Sequence, residues 1–257
     1  MRIVVKIGTS TLTYSTGHLN IRSVEELCKV ISDVKNAGHE VIIVSSGAIG
    51  MGIGKLGLRQ RPSDMPTKQA AAAVGQCELM YTYDRLFSQY NHTVAQLLIT
   101  GDDIANVQRH INFSNTINRL LELNAIPVVN ENDTVATNEI VIGDNDTLAA
   151  IVAESVKADK LILFSDIDGL YTADPHTHSD AQLLPIVHAV DDTIIALAGG
   201  TAGNLGTGGM LTKLEAAKIC LACGCDMIIT NGNTPTSLYD IIDGKAVGTT
   251  FTERKYD

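Results

Sequence analysis

Apolar positions in this chain come in blocks, not in the two-residue rhythm of a half-exposed strand. Residues 3–7 form a short β-branched run closed by Gly8, and residues 41–44 form a second run leading into Ser45-Ser46-Gly47-Ala48. Runs this apolar suit strands buried on both faces, as in a parallel sheet. Between them Val24, Leu27, Val30, Ile31 and Val34 recur at helical spacing. Asn20 or Ser23 opens that helix, Ser23 and Glu26 make a capping-box pattern, and Gly38 closes it. The alternation continues with an Ala-rich helix over about 67–90, a strand over 94–99, a helix over about 111–123 and a strand over 126–129. Residues 135–142 suit a small hairpin. Gly143-Asp144-Asn145-Asp146-Thr147 then precedes an apolar helical run containing Leu148, Ala149, Ile151, Val152 and Val156. The second half predicts a strand over 160–164, a short helix over 191–198, a glycine-rich loop over 199–209, a helix over 210–223, and strands over 227–230 and 248–251.

Strand and helix alternate throughout, which implies an α/β fold with a mainly parallel sheet covered on both faces. Ligands in such sheets sit at the carboxyl ends of the strands, where each polar loop of this chain falls. The 257 residues suit one large α/β domain or two closely joined lobes, and with 45% hydrophobic but only 4% aromatic residues the core must be aliphatic. A net charge of −10 argues against a nucleic-acid partner. No apolar run is long enough to span a membrane, and the N-terminus enters a strand directly, without a signal-peptide pattern. Five cysteines, an odd number, fit reduced thiols and a cytoplasmic setting.

The central turn joins two carboxylates to a helix start. Asp144 or Asn145 caps the helix, whose free N–H groups suit an anion, and the aspartates suit the magnesium or lysine that accompanies one. The plain alternative is an acidic turn that only caps. Lys6 interrupts an apolar strand just before Gly8. It is either a phosphate ligand beside a glycine turn or an outward lysine on an edge strand. Residues 206–213 (Gly-Thr-Gly-Gly-Met-Leu-Thr-Lys) place glycines before a helix start with Lys213 in its first turn, but lack the ending of a P-loop. Gly52-Ile53-Gly54-Lys55-Leu56-Gly57 matches a dinucleotide fingerprint in letters only, because it does not open a helix directly after a strand and no acidic strand end follows. Cys220, Cys223 and Cys225 lack a second cysteine pair and read as structural. No nucleophilic triad is visible. Two lysines, several aspartates, glycine turns and helix starts are equipment for phosphates.

Six motifs occur in order: Val4-Val5-Lys6-Ile7-Gly8-Thr9-Ser10, Ser45-Ser46-Gly47-Ala48-Ile49, Asn130-Glu131-Asn132-Asp133, Gly143-Asp144-Asn145-Asp146, Gly169-Leu170-Tyr171-Thr172-Ala173-Asp174-Pro175 and Gly206-Thr207-Gly208-Gly209-Met210-Leu211-Thr212-Lys213. Together they resemble the amino acid kinase family over essentially the whole chain, and within it the branch acting on L-glutamate. The resemblance implies a three-layer αβα sandwich around a mainly parallel central sheet. It implies one domain over 1–257, with residues 1–157 holding the amino acid and 158–257 the nucleotide. The implied reaction is ATP-dependent phosphorylation of the γ-carboxylate of L-glutamate, opening proline synthesis. Carried over by motif, Ser46, Gly47, Asp133 and Asn145 bind glutamate, with Asp133 on its α-ammonium and Asn145 on a carboxylate. Lys6 and Lys213 flank the transferred phosphoryl group, Asp146 orients them, and Asp144 with Asp146 helps hold Mg2+. Gly8, Ser165 and Asp166 meet ATP, with Thr207, Gly208, Gly209, Met210, Leu211, Thr212 and Lys213 closing over its phosphates. Feedback inhibition by proline, a homo-oligomer (dimer or tetramer) and a short form without an extra C-terminal domain are further implications. Ser165 stands where the family more often has threonine. Competing readings are a family member with another acceptor, a non-catalytic amino-acid sensor, and the dehydrogenase set aside above.

Overall fold

The computed structural model describes residues 1–14, 16–135, 145–175, 177–198 and 209–254. The chain runs β1 (Arg2–Ile7), α1 (Thr9–Leu12), α2 (Ile21–Asn36), β2 (Glu40–Ser45), α3 (Ala48–Leu56), α4 (Met65–Ser88), β3 (Val94–Ile99), α5 (Gly101–Ala105), α6 (Val107–Glu122) and β4 (Ile126–Glu131). It continues with α7 (Asn145–Ser155), β5 (Lys160–Ser165), β6 (Ile186–Val187), α8 (Asp192–Leu197), α9 (Met210–Ala222), β7 (Asp226–Asn231), α10 (Ser237–Ile242) and β8 (Thr249–Phe251). Among the described residues the strands form one sheet of order β3-β4-β2-β1-β5-β7-β8-β6. All its pairings are parallel except β7 with β8.

Successive residues of a strand point to opposite faces, so a strand buried on both sides feeds two cores. On β1, Val4 joins Ile42, Leu148, Val152, Leu161 and Leu214 on one face, covered by α6, α7 and α9. Ile3, Val5 and Ile7 join Leu27, Ile31, Leu79, Tyr83 and Phe87 on the other, covered by α2 and α4. The result is the three-layer sandwich. Each fully buried Ile or Leu contributes about 1.5–3 kcal/mol of burial free energy, which offsets the entropy of ordering the chain.

Several boundaries differ from the pattern-based expectation, each for a local reason. Helix α2 is capped by Asn20, whose side chain accepts from the Ser23 N–H, so Ser23 already lies inside the helix and its capping-box pattern is unused. Helix α4 starts at Met65 because Asp64 caps it and Pro66 is harmless in a first turn. Helices α1, α3, α5 and α10 and strand β6, too short or too glycine-rich for a clear period, were not expected. The hairpin over 135–142 lies outside the described residues apart from Val135, as does the glycine loop before Gly209.

The false dinucleotide fingerprint has a packing explanation. Gly52 and Gly54 lie inside α3, and Gly57 ends it at φ +65°. A Cβ on Gly52 would stand 1.8 Å from the Ala71 carbonyl oxygen, and one on Gly75 would stand 1.7 Å from that of Ala48. Helices α3 and α4 therefore touch backbone to backbone, an approach that only glycine allows. Among the described residues no helix is long and apolar enough to cross a membrane.

Candidate active site

Four neighbouring strands, β4, β2, β1 and β5, end side by side, as a parallel sheet requires. Their carboxyl ends wall a cavity of about 820 Å³. The lining brings together nine of the residues expected at the site: Lys6, Gly8, Ser46, Gly47, Asp133, Asn145, Ser165, Asp166 and Lys213. These are far apart in the chain, and only the common end of the sheet gathers them.

Asp146 lies just behind that wall, fully buried in the first turn of α7. Lys6 Nζ stands 2.6 Å from its Oδ1, and Lys213 Nζ stands 3.0 Å from its Oδ2. Thr212 Oγ1 also donates to Oδ2 at 3.1 Å. Strand β1 is central, flanked by β2 and β5, so Lys6 is not an outward lysine on an edge strand. Both lysine side chains are nearly buried, at 10% and 6% exposure. A buried ammonium is tolerable only when paired. Burial alone pushes the Asp146 carboxyl up, but Lys6, then Lys213, and the hydrogen bonds from both outweigh it and hold it below the usual carboxylate range. Two ammonium groups thus share one carboxylate at the cavity wall. Two ammonium groups at one wall suit an anion with several oxygens.

The amino-acid side of the cavity is an amide network. Asn145 Nδ2 donates to Ser46 Oγ at 2.8 Å, Asn130 Oδ1 at 3.1 Å and the Ser45 carbonyl at 3.3 Å. Its nitrogen is thereby consumed by protein partners. Its Oδ1 has no partner among the described residues and is the atom left for a ligand. Asn145 therefore offers an acceptor, where the sequence reading had it serving a carboxylate. Asp133 also lines the cavity without a hydrogen-bond or ion-pair partner among the described residues, and burial raises its carboxyl above the usual range. A desolvated carboxylate of this kind is suited to an incoming ammonium.

Helix starts supply donors from the other direction. Helix α3 begins at Gly47, with φ +96°, and α9 begins at Gly209, neither with a side-chain cap. Their first N–H groups are not satisfied by their own caps, unlike those of α2 and α4. Asn145 is the first helical residue of α7, so the capping position falls on Asp144, outside the described residues. Thr207 and Gly208 also fall outside them. Gly209, Met210, Leu211 and Thr212 are described but do not line the cavity, Thr212 serving Asp146 instead. Ser165 Oγ donates to Asp166 Oδ1 at 3.1 Å.

Sequence reasoning missed Arg59 and Arg61, which line the cavity from the segment after α3 and enter no ion pair among the described residues. The available signal was an Arg-x-Arg pair in an otherwise acidic chain. It also missed Asn130 as the hub of the amide network. Cys220 and Cys225 are buried near the end of α9, away from the cavity lining, and burial raises the Cys28 thiol out of the reactive range.

A profile of the amino acid kinase family matches residues 1–231. The chain belongs to the amino acid kinase family. Within that family it is 51% identical over 249 residues to a glutamate 5-kinase of Clostridium tetani, covering 97% of this chain and 93% of the relative. It is 50% identical to a glutamate 5-kinase of Listeria innocua, covering 99% and 94%. A glutamate 5-kinase of Caldanaerobacter subterraneus is 49% identical over 99% of this chain but only 68% of its own length. Among solved structures, carbamate kinase from Giardia lamblia bound to AMP-PNP superposes with a TM-score of 0.70 at 16% identity, covering 98% of both chains. UMP kinase from Bacillus anthracis gives 0.66 at 16% identity, covering 99% of this chain and 96% of that one. These structures establish the amino acid kinase fold.

The fit of the site to magnesium can be judged from its carboxylates. Both oxygens of Asp146 are engaged, one by Lys6 and the other by Lys213 and Thr212. Among the described residues no group of three or more His, Cys, Asp or Glu is placed to hold a metal ion. The described residues do not form a resident metal site, and Asp146 serves as a counter-ion to lysines.

Proposed function

We propose that this amino acid kinase transfers the γ-phosphoryl group of ATP to the γ-carboxylate of L-glutamate, forming glutamyl 5-phosphate for proline synthesis. The observation that carries the chemistry is the pair of lysines sharing Asp146 at the wall of the cavity. The choice of acceptor is carried by the identity of about half the chain to glutamate 5-kinases.

The acceptor needs no general base. A glutamate γ-carboxylate, with a pKa of about 4.3, is already ionised at neutral pH. The remaining difficulty is bringing two anions together in line, which positive charge and positioning resolve. Lys6 and Lys213 neutralise the oxygens of the transferring group, and Asp146 fixes both ammonium positions. Asp133 and the carbonyl oxygen of Asn145 receive the α-ammonium. Ser46, Gly47 and the free start of α3 receive carboxylate, and Arg59 with Arg61 adds positive charge at the mouth. Gly8, Ser165, Asp166 and the segment from Thr207 to Lys213 hold the nucleotide. Magnesium belongs in this scheme with the phosphates of the nucleotide. The reading also places the amino acid on strands from residues 1–157 and ATP on those from 158–257, and includes proline as a feedback inhibitor and a homo-oligomeric assembly.

The test is to supply ATP, magnesium and L-glutamate with hydroxylamine, which traps an acyl phosphate before it cyclises. Glutamyl hydroxamate with matching ADP release, and none with acetylglutamate or aspartate, is the expected result. Transfer to a different acceptor would overturn the substrate. Nucleotide binding without transfer to any acceptor would overturn the kinase itself.

A further inference from the structure

We propose that Gln76, in the middle of α4, is a positioning residue that braces Asn130, and through it Asn145, in the orientation that leaves Asn145 Oδ1 facing the substrate. The inference rests on the glutamate kinase reading of the site and deepens it. Gln76 lies outside the cavity lining, buried at 8% exposure. Its Oε1 accepts from Asn130 Nδ2 at 2.9 Å. Asn130, 2% exposed at the end of β4, turns its other amide atom the opposite way. Asn130 Oδ1 accepts from Asn145 Nδ2 at 3.1 Å and from the backbone N–H of Glu131 at 2.9 Å.

Two backbone groups settle the polarity of this relay. A backbone N–H can only donate, so the atom of Asn130 facing Glu131 is its oxygen. A backbone carbonyl can only accept, so the atom of Asn145 facing Ser45, at 3.3 Å, is its nitrogen. With both ends set, Gln76 must present oxygen to Asn130, and Asn145 must present oxygen to the cavity. Reversing any one amide would set like atoms against each other in a buried site, which costs about 1–3 kcal/mol per unpaired group. Among the described residues Gln76 Nε2 finds no partner in this arrangement, so the residue is not there to satisfy its own amide. Its reach is set by the preceding residue of α4. Gly75 lets that helix approach the Ala48 carbonyl to within a distance no side chain permits. The chemical consequence is selectivity for a substrate with an ammonium group, received by Asn145 Oδ1 beside the carboxylate of Asp133, which also lines the cavity.

Gln76→Met keeps the shape and removes the accepting oxygen, freeing Asn130 to rotate. It should raise the KM for L-glutamate about tenfold while leaving kcat and the KM for ATP within about twofold. Gln76→Glu keeps an accepting oxygen and should return the KM to within about threefold of the unaltered protein. In an Asn145→Ala background Gln76→Met should have no further effect, because the atom it positions is gone. An unchanged KM in Gln76→Met, equal losses in the Met and Glu variants, or additive losses in the double variant would each overturn the relay. Should Gln76→Met fail to fold, Asn130→Ala removes the link between Gln76 and Asn145 and must raise the same KM without changing that for ATP. Absence of hydroxamate from the unaltered protein would instead remove the functional reading.

Discussion

Two buried aspartates sit at opposite ends of the same sheet, each with two cations and a threonine. Asp146, at the carboxyl end, holds Lys6 at 2.6 Å, Lys213 at 3.0 Å and Thr212 at 3.1 Å. Asp226 opens β7 at the amino end and holds Lys160 at 3.5 Å, Arg254 at 3.6 Å and Thr252 at 2.6 Å. The ingredients match, but the surroundings differ. Around Asp146 both lysines are nearly buried and line the large cavity. Around Asp226 the Arg254 side chain is 64% exposed, and Thr252 staples the end of the chain to the start of β7. A buried carboxylate with lysines is thus no functional signal in itself. What the cations face decides between chemistry and architecture.

The strongest way to break this comparison is to remove one cation at the carboxyl end. Lys6→Ala or Lys213→Ala should lower kcat about 100- to 1,000-fold, the cost of losing a preorganised charge at a transition state. A fully active Lys213→Ala would remove that residue from the reaction. Next in size is Asp226→Ala, which leaves its cations without a partner and should cost about 2–3 kcal/mol of stability, read by denaturant unfolding. Its kcat should stay within about twofold, and a large loss would erase the contrast between the two ends. Gly75→Ala, forced against the Ala48 carbonyl, should cost about 1–3 kcal/mol and raise the KM for L-glutamate, because α3 carries Gly47 at its start.

The smallest effect is on pH. Asp133 is held above the usual carboxylate range by burial, so as pH falls it takes up a proton earlier than an exposed aspartate. Only its ionised form attracts the α-ammonium. The KM for L-glutamate should therefore rise as pH falls, beginning above the ordinary aspartate range near 4, and Asp133→Asn should abolish that dependence. Asp146 behaves in the opposite way. Its folded pKa is depressed, so its contribution to stability is present above the unfolded value and is lost only as pH falls through the folded one. Asp133 meets the ammonium of the substrate and not the transferring group, so kcat should not follow the change in KM.

Much of this was legible in the sequence. Short β-branched runs and helical periods are local signals, and they located β1, β2, β3, β4, β5, β7, α2, α4, α7 and α9 to within a few residues. Parallel strands need crossovers, so alternation alone placed the polar loops at one end of the sheet. Lys6 stood out because a charge in an apolar strand is costly, and Asp146 and Lys213 because each falls at a helix start behind an acidic or glycine-rich turn.

The remainder depended on contacts between distant segments, which no local pattern encodes. Sheet order made β1 central and turned Lys6 inward to Asp146. Backbone contact between α3 and α4 gave Gly52 and Gly75 their reason, where the letters around Gly52 only imitated a nucleotide motif. The orientation of Asn145, in α7, was set by Ser45 and Asn130 on two separate strands, with Gln76 in mid-helix bracing Asn130. Types of side chain are written in the sequence. Which atom of each is spent on the protein and which is left for a ligand is decided only when the strands come together, because a hydrogen bond is satisfied by position and not by proximity in the chain.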